Sequence, residues 1–113
     1  MTRPFQFRLE RVRALRQRVE DSAKEELAAS LSHRLKGEAM LRAASEQLDR
    51  ARRECRPDNG TTATGPQLQA LQAYLERVER ARSAAAEDLS RREQEVRRRR
   101  ERLVEAARER QAL

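Results

Sequence analysis

"RPDNGTTATGP", positions 56–66, holds two of the chain's three prolines and two of its three glycines, set among Asp, Asn and Thr. Proline removes a backbone donor and glycine supplies positive φ, so such a cluster is a turn-forming loop. The sequence on either side is rich in Ala, Leu, Arg, Glu and Gln, all good helix formers. The expectation is therefore two helices, one over about 4–55 and one over about 66–113, joined by a loop at 56–65. Pro4 and Pro66 suit first helical positions, and Thr64 or Gly65 caps the second helix. Each helix would be on the order of 70 to 80 Å long. Gly37 costs about 1 kcal/mol in a helix interior and marks a soft point without ending the helix.

The apolar spacing says how the helices meet. From Leu68 the second helix carries an unbroken 3-4 repeat through Leu71, Leu75, Val78, Arg82, Ala85, Leu89, Arg92, Val96, Arg99, Leu103, Ala106 and Arg110 to Leu113. That is a heptad seam. In the first helix the apolar residues Phe5, Leu9, Val12, Leu15 and Val19 give way to steps of four at Ala23, Leu27 and Leu31, and the repeat resumes over Leu41, Ala44, Leu48, Ala51 and Cys55. The steps of four read as a stutter, which locally unwinds a supercoil. Folding at the loop pairs Cys55 with Leu68, Leu48 with Leu75, Ala44 with Val78, Leu27 with Val96, Val19 with Leu103 and Leu9 with Leu113. The fold class expected is all-α, an antiparallel two-helix coiled-coil hairpin forming one domain over 1–113. A continuous parallel dimer is the competitor, and the proline-glycine loop argues against it.

Composition limits the function. With 40% charged residues, three aromatics and a net charge of +7, the chain lacks the bulky apolar material of an enzyme core. No glycine-rich phosphate loop, nucleophile-histidine pair or buried carboxylate pair is present, so no catalytic residue, cofactor or small-molecule substrate is assigned. His33 lacks ligand spacing and reads as a surface residue, so no metal is assigned either. Cys55 fits the seam against Leu68 and reads as a core residue, and a single cysteine excludes an internal disulfide framework. The absence of a membrane-length apolar run and of a signal-peptide stretch makes the cytoplasm the default compartment.

Charge and aromatics are both uneven. Residues 1–20 hold six arginines against two glutamates, residues 91–113 nine against five, and the remainder is nearly neutral. A hairpin sets these two basic stretches side by side, a patch suited to anionic partners. Part of that charge belongs to helix-surface pairs such as Glu76 with Arg80, Glu87 with Arg91, Glu93 with Arg97 and Glu95 with Arg99. Arg82, Arg92, Arg99 and Arg110 are expected to snorkel out of the seam, each weakening its layer. Both phenylalanines, Phe5 and Phe7, overhang the paired region, where exposed apolar surface means a partner or a frayed end.

"FQFRLERVRALRQRVED", from position 5, resembles the N-terminal signature of the FliJ family of the bacterial flagellar type III export apparatus, an F-x-F-R-L-E-x-V-x-x-[LI]-R pattern. "LQAYLERVERA" (71–81) is similar to the family's Y-L-x-x-[LIV] stretch, and "RERLVEAARERQAL" (100–113) to its L-x-E-A-x-x-E-R-x-x-L stretch. Family members usually continue the second helix for roughly thirty residues more, an expectation that leaves this chain trimmed or short beside the helix-forming composition it shares with them. The resemblance implies a non-enzymatic stalk like the central subunit of rotary ATPases. It implies that the chain binds and stimulates the export ATPase hexamer, and engages the cytoplasmic domain of the export-gate membrane protein and the export chaperones. The implied location is cytoplasmic and peripheral to the inner membrane at the flagellar base.

On that resemblance Phe5, Phe7, Arg8 and Arg11 are the residues expected at the ATPase ring, and Tyr74, Val78 and Ala81 those expected at the export gate. Tyr74 is the chain's one tyrosine and sits just off the seam beside Leu75, whereas Val78 is itself a seam residue. An injectisome stalk would have the same physics. The alternatives are a basic coiled coil for RNA or ribosomes, disfavoured because no aromatic platform for bases accompanies the charge, and a passive spacer.

Overall fold

The computed structural model describes residues 3–56 and 64–112. They form α1 (Arg3–Glu54) and α2 (Gly65–Gln111), with no strand among the described residues. Most of the expected loop, 57–63, and Leu113, expected against Leu9, lie outside them. The fold is an all-α helical hairpin. Partners on α2 rise in number as those on α1 fall, from Gln47 with Tyr74 through Glu26 with Arg99 to Arg16 with Glu109, so the helices run antiparallel.

Local chemistry explains where α2 begins. Thr64 Oγ1 accepts from the Gln67 backbone N–H at 3.3 Å while Gln67 Oε1 accepts from the Thr64 N–H at 3.0 Å. This is a reciprocal capping box that satisfies two otherwise orphaned donors. At the other side of the loop the Arg56 N–H bonds back to the Arg53 carbonyl, tightening the end of α1. Gly37 is buried within an uninterrupted α1.

The chain divides into two compact units, each with an antiparallel pair of helical stretches. The loop-side unit spans Leu35–Arg91 and the terminal unit joins Met1–Arg34 with Arg92–Leu113. In the loop-side unit Leu48, Ala51 and Val78 form a buried cluster with Tyr74 and Leu75 packed against it. Burying a Leu or Val side chain contributes roughly 1.5–3 kcal/mol, so this small cluster dominates its surroundings.

The terminal unit is built differently. Its buried residues are Glu20, Ala23, Ser30, Val96 and Ala106, a mixture of small, polar and apolar side chains. Three expectations fail here, for related reasons. First, α1 needs no stutter: positions 16, 20, 23, 27, 30, 34, 37, 41, 44, 48, 51 and 55, all buried or half-buried, keep the 3-4 spacing, with 31, 38 and 45 half-buried beside them. Arg16, Glu20, Ser30 and Arg34 occupy the places where an apolar pattern would have been sought. Second, Leu15 and Val19 are not buried against α2; they are 57% and 47% exposed, with Val19 at the wall of a groove that α2 residues complete.

Third, some pairings are displaced by about one turn along α2, whereas Leu48 with Leu75 and Ala44 with Val78 share a cluster and a groove as expected. Cys55 Sγ lies 4.0 Å from the Leu71 carbonyl rather than against Leu68, which is exposed. Arg92 Nη1 reaches the His33 carbonyl at 2.8 Å and Arg16 Nη1 the Glu109 carbonyl at 2.5 Å, both displaced in the same sense. These contacts give arginine donors on each helix a carbonyl acceptor on the other.

Candidate functional site

Two regions carry the residues singled out from the sequence, one in each unit. In the terminal unit Phe5 and Phe7 are 70% and 63% exposed, and Arg8 and Arg11 are exposed beside them. Phe7, Arg8 and Arg11 share a shallow groove of about 360 Å³ with Arg3 and Pro4, and Phe5 lies outside it. Residues two apart on an α-helix project about 200° from one another, so the two rings point to nearly opposite sides of α1. A partner that touches both must therefore wrap the helix.

Behind this tip the arginines are organised rather than splayed. Arg110, expected to snorkel outward, forms an ion pair with Glu20, whose residue is only 5% exposed. Lys24 Nζ stands 3.6 Å from the other Glu20 oxygen. Arg99, also expected to turn outward, bridges Glu95 on its own helix and Glu26 on α1, both at 2.7 Å. The Arg98 hydrogen bond foremost, with desolvation pushing the other way and the charges of Arg98 and Arg99 adding to it, holds the Glu95 carboxyl below its ordinary range. Glu20 was not singled out from the sequence. Its signal was the 3-4 spacing to Arg16 and Ala23, which an apolar-only reading passes over.

In the loop-side unit Tyr74, Val78 and Ala81 come together along one groove of about 300 Å³, which Ala44, Gln47 and Arg77 complete. Val78 is buried and forms its floor, whereas Ala81 is exposed at its edge. The Tyr74 hydroxyl accepts from Gln47 Nε2 at 2.9 Å, and the Arg77 guanidinium lies over the ring, 6.0 Å from its centroid. The ring is thus met at its hydroxyl and over one face by Gln47 and Arg77, which its sequence motif does not include. A half-buried tyrosine held in one orientation beside an apolar floor offers a ready contact surface at low entropic cost.

Among the described residues no cluster of His, Cys, Asp or Glu could hold a metal ion, and no helix is long and apolar enough to cross a membrane. A family model described as Flagellar FliJ protein matches residues 5–113. No curated protein and no solved structure matches the chain.

Proposed function

The chain belongs to the flagellar FliJ family and is a component of the flagellar type III export apparatus, and from that premise we propose that it is the coiled-coil stalk that enters and stimulates the export ATPase ring. The observation that carries this reading is the tip of α1: two exposed phenylalanines aimed to opposite sides of one helix, with Arg8 and Arg11 between and beyond them. A ring lumen surrounds a helix and can cover both rings at once. Arginine speeds encounter with an acidic lumen and the phenylalanines hold it.

Replacing Phe5 and Phe7 with alanine abolishes stimulation of ATP hydrolysis while helicity by circular dichroism stays nearly unchanged. Replacing Arg8 and Arg11 with glutamine mainly slows association and flattens its salt dependence. A double alanine variant that stimulates as well as the parent contradicts the reading.

The Tyr74 groove serves the second contact, with the cytoplasmic domain of the export-gate membrane protein, Ala81 at the edge and Val78 as floor. Tyr74→Ala weakens that binding by about 1 kcal/mol or more. Export chaperones are further partners in this reading, and the working location is the cytoplasmic face of the inner membrane at the flagellar base.

A further inference from the structure

The polar side chains around Tyr74 are arranged as donors. Arg50 Nη2 donates to Gln47 Oε1 at 3.1 Å. An arginine has no acceptor to offer, so the amide oxygen of Gln47 must face Arg50 and its nitrogen must face Tyr74. The Tyr74 hydroxyl therefore accepts from Gln47, at 2.9 Å, and its own proton is directed elsewhere. No acceptor among the described residues takes that proton. Arg77, over one face of the ring, is exposed and forms no ion pair among the described residues.

The groove itself has one sign. Ala44, Val78 and Ala81 give it an apolar floor and edge, Tyr74 and Arg77 supply the outward donors, and no carboxylate lines it. The groove beside Glu26 differs, because Arg18 and Arg102 stand there with Glu26, Glu105 and Glu109 and offset one another. A group that satisfies the Tyr74 groove must accept the phenol proton, carry negative charge for Arg77 and bring an apolar neighbour for the floor.

We infer that the Tyr74 groove takes a carboxylate, an Asp or Glu of a protein partner set beside an aliphatic side chain that seats on Ala44 and Val78. The inference rests on reading this groove as the export-gate contact and adds the chemistry that the contact requires. Gln47 is a positioning residue: by donating to the phenol oxygen it fixes the phenol as an outward donor. A phosphate would accept from the same donors. A nucleic acid, however, binds along rows of cations, and among the residues lining this groove only Arg77 is cationic.

Titration of the full chain with the export-gate cytoplasmic domain tests the three residues separately. Tyr74→Phe keeps the ring and loses only the hydroxyl, and weakens binding about fivefold or more. Gln47→Glu keeps a partner on the phenol but takes its proton, so it weakens binding more in the parent than in the Tyr74→Phe chain. Arg77→Glu weakens binding about tenfold or more. Tyr74→Phe and Arg77→Glu chains that bind as the parent does overturn the inference. A parent chain that does not bind the domain removes the gate reading, and the groove is then judged without the gate. Tyr74 is the chain's one tyrosine and the chain has no tryptophan, so its fluorescence reports this groove alone. Of two peptides free of tyrosine and tryptophan, identical except for Glu or Gln beside one leucine, the Glu peptide changes that fluorescence more, and Arg77→Glu abolishes the change. An equal response to both peptides, no response to the Glu peptide, or as strong a response to a short single-stranded RNA overturns the choice of carboxylate.

Discussion

The loop-side unit and the terminal unit are cut from the same two helices, yet different forces close them. Around Leu48, Ala51 and Val78 the helices meet through apolar side chains. Around Glu20 and Ser30 they meet through small residues and the one buried Val96, with Arg110 to Glu20, Arg99 to Glu26, Arg16 to the Glu109 carbonyl and Arg92 to the His33 carbonyl spanning the gap. Apolar packing is neither screened by salt nor titrated by pH; charge-assisted bonds are both. The difference teaches that one heptad repeat can be filled either way, and that the polar filling leaves the apolar residues of the same stretch free on an adjacent stripe.

The register common to both units can be broken most visibly by chemistry. Natural Cys55 with Leu71→Cys forms an intrachain disulfide on mild oxidation, whereas Leu68→Cys does not, because the thiol already lies against Leu71. Cross-linking to position 68 in preference to 71 would restore the apolar-only register.

Stability should separate the units next. Leu48→Ala lowers stability by about 2–3 kcal/mol in urea titrations, with the same loss at low and high salt. Glu20→Gln costs less, about 1–2 kcal/mol at low salt, because Arg110 and Lys24 keep partial access to water when their partner goes. That loss shrinks as salt is added. An equal loss at all salt concentrations would mean that Glu20 acts through packing.

Much of the hairpin was legible in residues 56–66, since turn chemistry there is local. Leu48 and Val78 were legible too, because apolar residues sit where the period requires them. The terminal unit was not, because its seam uses Arg16, Glu20, Ser30 and Arg34, and a search for apolar residues instead strung together Val12, Leu15 and Val19 and needed a stutter to rejoin the pattern. The long reach of arginine makes a polar layer possible without making it visible in hydropathy. At the candidate sites exposure of Phe5 and Phe7 followed from their position, whereas the Gln47 and Arg77 supports of Tyr74 lie on no shared motif.

The smallest effect concerns pH. Because the folded-state pKa of Glu95 is depressed, its contribution is fully present above the ordinary glutamate range and is lost as pH falls through the lowered value. An acid titration of the parent therefore shows a slight loss of terminal-unit helicity below the usual range that a Glu95→Gln chain lacks. Identical acid profiles would remove Glu95 from the network with Arg98 and Arg99.

The contrast between the units is tested most directly by amide hydrogen exchange at low salt and in about 1 M salt, where the Debye length falls to about 3 Å. Exchange should accelerate several-fold in the stretches around Glu20, Glu26, Arg99 and Arg110 and stay unchanged around Leu48 and Val78. Equal acceleration in both units, or none in either, would contradict the assignment of charge to one and apolar packing to the other.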